Sequence, residues 1–280
     1  MHPMFSNAMA KERTLPDYDQ PPVVETVLGL EFPPVQGWDV PHFGLLWNKF
    51  RTDYPKFEVQ PRLAGQFDVS IGMEAHGLPA GTKFSTGLPV RCWFFSEDRT
   101  RLIQIQNDRF MHNWIKTGSA ESYPHYEKIR PRFERDWNRF LEFLDEQSIQ
   151  RPETLRWEVT YVNHLERDVA WKSFADLPKI VSSWSGKGST GFLPSADAVV
   201  LNARYPIADA KASLTISVEP AQRRSDNKEV LQIRLTAQGE PRTVDTDSIL
   251  QSLDVGRSWI VNGFTDFTTS SMHQLWKRRI

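Results

Sequence analysis

Residues 100–116 read TRLIQIQNDRFMHNWIK, and this stretch sets the fold class. Ile103 and Ile105 alternate with Gln104 and Gln106, the period-two pattern of a strand with one buried and one polar face. Asn107-Asp108-Arg109 reads as a tight hairpin turn, and the chain returns as a strand over 109–116. A strand at 90–97 enters the hairpin through a second tight turn, Ser96-Glu97-Asp98-Arg99, and a strand at 59–71 precedes it. Between them, residues 72–88 are rich in Gly and Pro and read as a loop. Strands joined by such short turns make an antiparallel sheet.

On the N-terminal side lies a first strand, Val23 to Phe32. Its alternation puts Val24, Leu28, Leu30 and Phe32 on one face and Val23 and Val27 on the other. Apolar groups on both faces suit a central strand. A helix follows, capped by Asp39, with Pro41 in its first turn and Val40, Phe43, Trp47 and Phe50 as its stripe. On the C-terminal side, Ser122 is placed to cap a long helix reaching Gln147. Tyr126, Ile129, Phe133, Trp137, Phe140 and Leu144 form its apolar face, and Pro131 should kink it. A second set of elements then begins. A strand runs from Leu155 to Leu165, a short helix occupies 176–184, and strands lie near 198–206, 210–219 and 228–238. Asp247 opens a helix carrying Ile249, Leu253, Ile260 and Phe264, and Thr268 caps a last helix containing Met272, Leu275 and Trp276.

The reading is therefore α+β, with two similarly ordered halves, 21–150 and 151–280, behind an arm at 1–20. Each half lists strand, helix, several antiparallel strands and helix, with helices expected on one face of the sheet. The arm lacks periodicity and is expected to be disordered or loosely docked. Within it, Ser6-Asn7-Ala8-Met9 resembles a cloning remnant, which would put the natural start at Met9. The order of elements is similar to one half of the TATA-binding-protein fold, and less closely to helix-grip folds. Likeness at this level carries no function.

Composition narrows the setting. The chain has 280 residues with 10 Trp and 17 Phe but 6 Met and 1 Cys, so both cores are expected to be aromatic-rich. A net charge of −1 supplies no global field for nucleic acid or anionic lipid. Lone Cys92, in the apolar run Arg91-Cys92-Trp93-Phe94-Phe95, cannot form an intramolecular disulfide, which points to a reducing cytoplasm. No apolar run approaches the roughly 18 residues that span a bilayer.

Several stretches together resemble a sporadically distributed, uncharacterised family of prokaryotic proteins of about this length. They are Pro21-Pro22-Val23-Val24-Glu25, Leu102 to Arg109 with Asn113-Trp114, Tyr123-Pro124-His125-Tyr126, Thr160-Tyr161-Val162-Asn163-His164, and Phe264 to Trp276. They span nearly the whole chain, and Pro131 departs from the pattern. The resemblance implies a fold and a cytoplasmic setting, and supplies no substrate. Its sporadic occurrence points to an accessory of a mobile or defence-type module.

No HExxH, CxxC or GxSxG motif occurs, so neither a metal nor a cofactor is expected and no catalytic residue is assigned. Gly186-Lys187-Gly188-Ser189-Thr190-Gly191 lacks the adjacent Lys-Ser/Thr of a phosphate loop and reads as a flexible connection. Arg109 and Asn113 lie an even number of residues apart on one strand, hence on one face, a pair able to hold a carboxylate, phosphate or base edge. Tyr161 and Asn163 likewise share a face, and His112 and His164 are placed on strands of different halves. These six are the ligand-binding candidates at a concave sheet face. Arg130, Arg135 and Lys277 are the nucleic-acid candidates, although interspersed Glu127, Glu134 and Asp136 favour a solvated mixed-charge helix face. The leading expectation is a cytoplasmic binding or interaction protein whose partner is another protein. A small-ligand binder or enzyme ranks next and a nucleic-acid binder third, with no membrane involved.

Overall fold

The computed structural model describes residues 14–63, 90–118, 121–184, 192, 194, 196–207, 211–223 and 225–279. Along the chain, β1 (Val23–Glu31) is followed by α1 (Val40–Phe50), β2 (Lys56–Pro61), β3 (Val90–Phe95), β4 (Arg101–Gln106), β5 (Arg109–Ile115) and α2 (Tyr126–Glu146). Then come β6 (Arg156–Glu166), a 3-10 turn at Phe174–Asp176, α3 (Leu177–Ile180), β7 (Leu201–Ile207), β8 (Ala212–Gln222), β9 (Glu229–Gly239), α4 (Thr246–Phe267) and α5 (Ser270–Leu275). The strands form one antiparallel sheet ordered β2-β3-β4-β5-β1-β6-β9-β8-β7. β1 and β6 therefore lie side by side in the middle. From each, the chain crosses to an outer edge and returns by hairpins to pair with the strand it left.

Directly paired residues share a face, so the register assigns each side of the sheet. Leu28 pairs with His112 and Val159, and Leu30 with Phe110 and Trp157. Their face carries the helices. Phe110 meets Phe133, Trp137 and Phe140 of α2, and Phe50 of α1 lies against Phe94. Most of these rings are fully buried, each contributing about 2–3 kcal/mol of transfer free energy. On the opposite, open face stand Arg109, Met111 and Asn113 of β5, Val27 and Glu31 of β1, and Thr160 and Val162 of β6.

The element order follows the expectation, with local differences of physical cause. A bulge where Val23 pairs with Asn163 and Glu25 with Val162 adds one residue to β1. It turns Val23, not Val24, into the core. The long helix begins at Tyr126 rather than after Ser122, because His125 adopts a left-handed φ of 65° that no helical residue holds. Pro131 lies six residues into α2, where it removes only the N–H that would reach the Glu127 carbonyl. The helix expected at 176–184 shrinks to four residues of α3 behind the 3-10 turn. α1 starts as expected, with Asp39 accepting from Val40 N at 2.7 Å and His42 closing a capping box.

Two arm residues dock firmly. Tyr18 is 6% exposed, shares a hydrogen bond of 2.9 Å with Thr265 and packs on Phe264 and Trp276. Asp19 N donates to the carbonyl of Lys277. Residues 1–13, the end of the strand expected at 59–71, the whole loop at 72–88 and the Gly186–Gly191 motif lie outside the described residues.

Two glycines test the packing in opposite directions. A Cβ on Gly256 of α4 would come within 2.6 Å of the buried Trp157 ring, whereas one on Gly44 of α1 meets nothing within 4 Å. Gly256→Ala should lower stability by about 1–3 kcal/mol through overpacking, despite its better helix propensity. Gly44→Ala should raise it by about 0.5–1 kcal/mol. Urea unfolding of the two variants checks both signs.

Candidate functional site

The six ligand candidates divide between the two sides of the sheet. Arg109, Asn113 and His164 face the open side, while His112, Tyr161 and Asn163 face the helices. His112 and His164 therefore do not converge, nor does the Arg109–Asn113 pair meet Tyr161 and Asn163.

On the open side, the candidates belong to transverse rows that the register draws across the sheet. One row runs Phe95, Leu102, Asn113, Val27, Thr160, Thr236 and Thr215 from β3 to β8. Its neighbour runs Trp93, Gln104, Met111, Gly29, Glu158 and Gln238. Diagonal hydrogen bonds join the rows. Arg91 and Trp93 both donate to Gln104 Oε1 at 2.9 Å, Gln104 donates to Asn113 Oδ1 at 3.0 Å, and Asn113 donates to Glu25 at 2.6 Å. All four links point the same way, from a cation to a carboxylate, an arrangement in which each bond polarises the next. Arg109 pairs with Glu31 at 2.5 Å, both side chains about nine-tenths buried. Burial pushes the Glu31 carboxyl above its ordinary range, against the pull of Arg109 and Arg156. His164 meets Gln232 at 3.4 Å, and burial lowers its pKa. Pro61–Leu63 leads the chain out of β2 over the end of β4, where Leu63 N donates to Gln106 Oε1 at 2.8 Å and Arg62 pairs with Asp108.

On the helix side, His112 sits 3.5 Å from Asp136, and neither is more than 1% exposed. Asp136 also accepts from Tyr54 OH at 2.5 Å and from Arg135 Nε at 3.0 Å. The buried carboxylate is thereby satisfied, as burial of a charge requires. Tyr161 accepts from Tyr123 OH at 2.7 Å, and Asn163 donates to the Ile233 carbonyl at 3.1 Å. Both line a cavity of about 60 Å³ with Tyr18, Tyr126 and Arg257, room for a few waters only. Cys92 is buried on this side, its thiol pushed up to about 11 by burial, which leaves it protonated and unreactive at neutral pH.

The nucleic-acid candidates are occupied or isolated. Arg130 bonds Asp254 at 3.0 Å and Glu134 at 3.1 Å, and Arg135 bonds Asp136. Lys277 is exposed at a left-handed turn with φ of 54°. Among the described residues, no group of three His, Cys, Asp or Glu side chains is placed to hold a metal, and no helix is long and apolar enough to cross a membrane.

Sequence reasoning missed one further cavity. A cleft of about 400 Å³ opens between α4 and the β7–β8 hairpin. Leu214, Ile216, Trp259 and Phe267 line it, and Ser182, Ser183, Ser258, Asn262 and Asp266 bring polar groups to it. Gly263 forms part of the wall, where a Cβ would lie 2.6 Å from Leu214. Neither strand parity nor a motif marks these residues, since they come from three separate elements. Family models, curated proteins and solved structures were all compared with the chain, and none matches.

The His112 environment makes stability depend on pH. Burial pushes its pKa down to about 4, with Asp136 opposing and Arg101, Arg132 and Arg135 assisting. The folded value lies below the ordinary one near 6.5, so the unfolded chain takes up the proton first. The neutral-His contribution is complete above about pH 6.5 and is lost as pH falls toward 4. The full effect is about 3 kcal/mol. Urea unfolding at pH 7 and pH 4.5 should show His112→Gln losing about 2–3 kcal/mol less than the parent over that interval.

Proposed function

We propose that the protein is a cytoplasmic binding protein that takes an apolar group with a hydrogen-bonding head in the cleft between α4 and β7–β8. The observation that carries this is the cleft itself. Its volume of about 400 Å³ falls in the range of small-molecule sites, about 300–1,000 Å³. Apolar walls from Leu214, Ile216, Trp259 and Phe267 supply transfer free energy, and the serines, Asn262 and Asp266 fix orientation. Ser182 Oγ already donates to the Asp266 and Phe267 carbonyls, at 2.7 and 3.1 Å, which holds that side of the cleft in place.

The cytoplasmic setting is supported by one cysteine in 280 residues, buried and unpaired. The reading of two halves with TATA-binding-protein-like order is supported by the strand order, in which each central strand is joined by a crossover to an edge and a return meander. That likeness gives the cleft no ligand.

A second reading, docking of another protein, is favoured by the open face of β9 and β8. Arg234 is exposed there, and Gln232, Thr236, Thr215 and Ser217 are half-buried. The two readings separate experimentally. Ligand-observed NMR with 2-naphthol, an aromatic body carrying a hydroxyl, should detect saturable binding. Ser258→Trp, which fills the cleft from the face of α4, should weaken it at least about tenfold, or about 1.4 kcal/mol. Undiminished binding to that variant would remove the cleft reading. Loss of a captured host protein on Arg234→Glu, with 2-naphthol binding intact, would favour the open face instead.

A further inference from the structure

The row at the other end of the open face is unlike the rest. Arg109 lies opposite Gln106 on one side and Glu31 on the other, and Glu31 lies opposite Arg156. Arg91 of β3, opposite Gln60 on β2, falls in line with this row. Arg91 and Arg109 thus approach each other across β4, and among the described residues Arg109 is paired with Glu31 while Arg91 is paired with no carboxylate. Arg91 has the neutral Gln104 amide as its acceptor, at 2.9 Å, and lies over the Trp93 ring at 5.0 Å.

Among the described residues, both guanidiniums keep a donor without an acceptor. The Nε atoms of Arg91 and Arg109 are buried without a hydrogen-bond partner, and Arg109 is 7% exposed. A buried N–H left unmade costs its full desolvation, more for a charged group. Among the described residues, two neighbouring cations with one paired carboxylate leave the Arg91 charge uncompensated. We infer that Arg91 and Arg109 form a seat for one oxyanion, a carboxylate or a phosphoryl group, with Trp93 as its wall. A planar guanidinium fork suits either group, and its charge-assisted hydrogen bonds are short and strong. Burial and the neighbouring Arg109 both press down the Arg91 pKa, in keeping with a cation that lacks its counter-ion. The seat is separate from the α4 cleft, since the two lie on opposite faces of the sheet.

The test titrates the full chain with sodium phosphate and, in a second arm, sodium acetate, each against sodium chloride at equal ionic strength. Calorimetry and thermal unfolding are the readouts. Phosphate or acetate should bind saturably and raise Tm where chloride does not, and the arm that responds identifies the group. Arg91→Gln should weaken that binding at least about tenfold while leaving Tm without added anion unchanged or higher, because it removes repulsion from Arg109. Arg109→Lys, which keeps the charge opposite Glu31 but removes the Nε donor, should also weaken it. Equal binding by the parent and Arg91→Gln, or no response to either anion beyond chloride, overturns the seat.

Discussion

The pairing of β1 with β6 is the constraint on which everything else rests. It runs in unbroken register from Glu25–Val162 to Glu31–Arg156 and joins the two halves of the chain into one sheet. Because side chains alternate, this register decides which residues of both halves share a face. A one-residue slip would turn Trp157, Val159 and Tyr161 away from α4 and expose them. Burial of that set, together with Leu28 and Leu30, therefore holds the register. The bulge at Val24 works at the same seam, adding the residue that brings Val23 onto the helix side opposite Asn163.

Once the faces are fixed, the polar groups on each side behave differently. Beneath α2, Asp136 has three donors or near-donors around it, and His112 stays neutral because a second buried charge there would cost more than it returns. On the open side, polar groups link into a directed chain from Arg91 and Trp93 through two amides to Glu25. Satisfied amides of this kind order a surface and leave little to offer a ligand. In the arginine row, charge and donors exceed the acceptors among the described residues.

Much of the fold was legible in the sequence, and the reason lies in local pattern. Alternation in 101–106 and the turn at Asn107-Asp108 gave the hairpin, and Asp39 with Pro41 gave the start of α1. Parity within a strand placed Arg109 with Asn113 and Tyr161 with Asn163. Parity says nothing across strands, however, and the β1 register sets the two pairs on opposite faces. The positive φ of His125, the bulge at Val24 and the docking of Tyr18 onto α5 were equally hidden. The bulge and the docking of Tyr18 depend on contacts between residues distant along the chain, which no window of sequence contains.

The cleft follows from an inequality between the two crossovers. β1 reaches its edge strand through α1, eleven residues long, whose Phe43, Leu46 and Phe50 are buried over the outer strands of the first half. Among the described residues, the crossover from β6 to its edge strand holds a 3-10 turn and the four residues of α3, whose buried side chains, Leu177 and Ile180, lie near α5. Among the described residues, no helix covers the outer strands of the second half as α1 covers those of the first. Leu214 and Ile216 are covered on one flank by α4, and Tyr205 remains 40% exposed on the other. A helix as long as α1 at this position would bury Trp259 and close the space. With α3 only four residues long, an apolar recess bordered by serines lies between α4 and β7–β8 among the described residues, and it is the site proposed for binding.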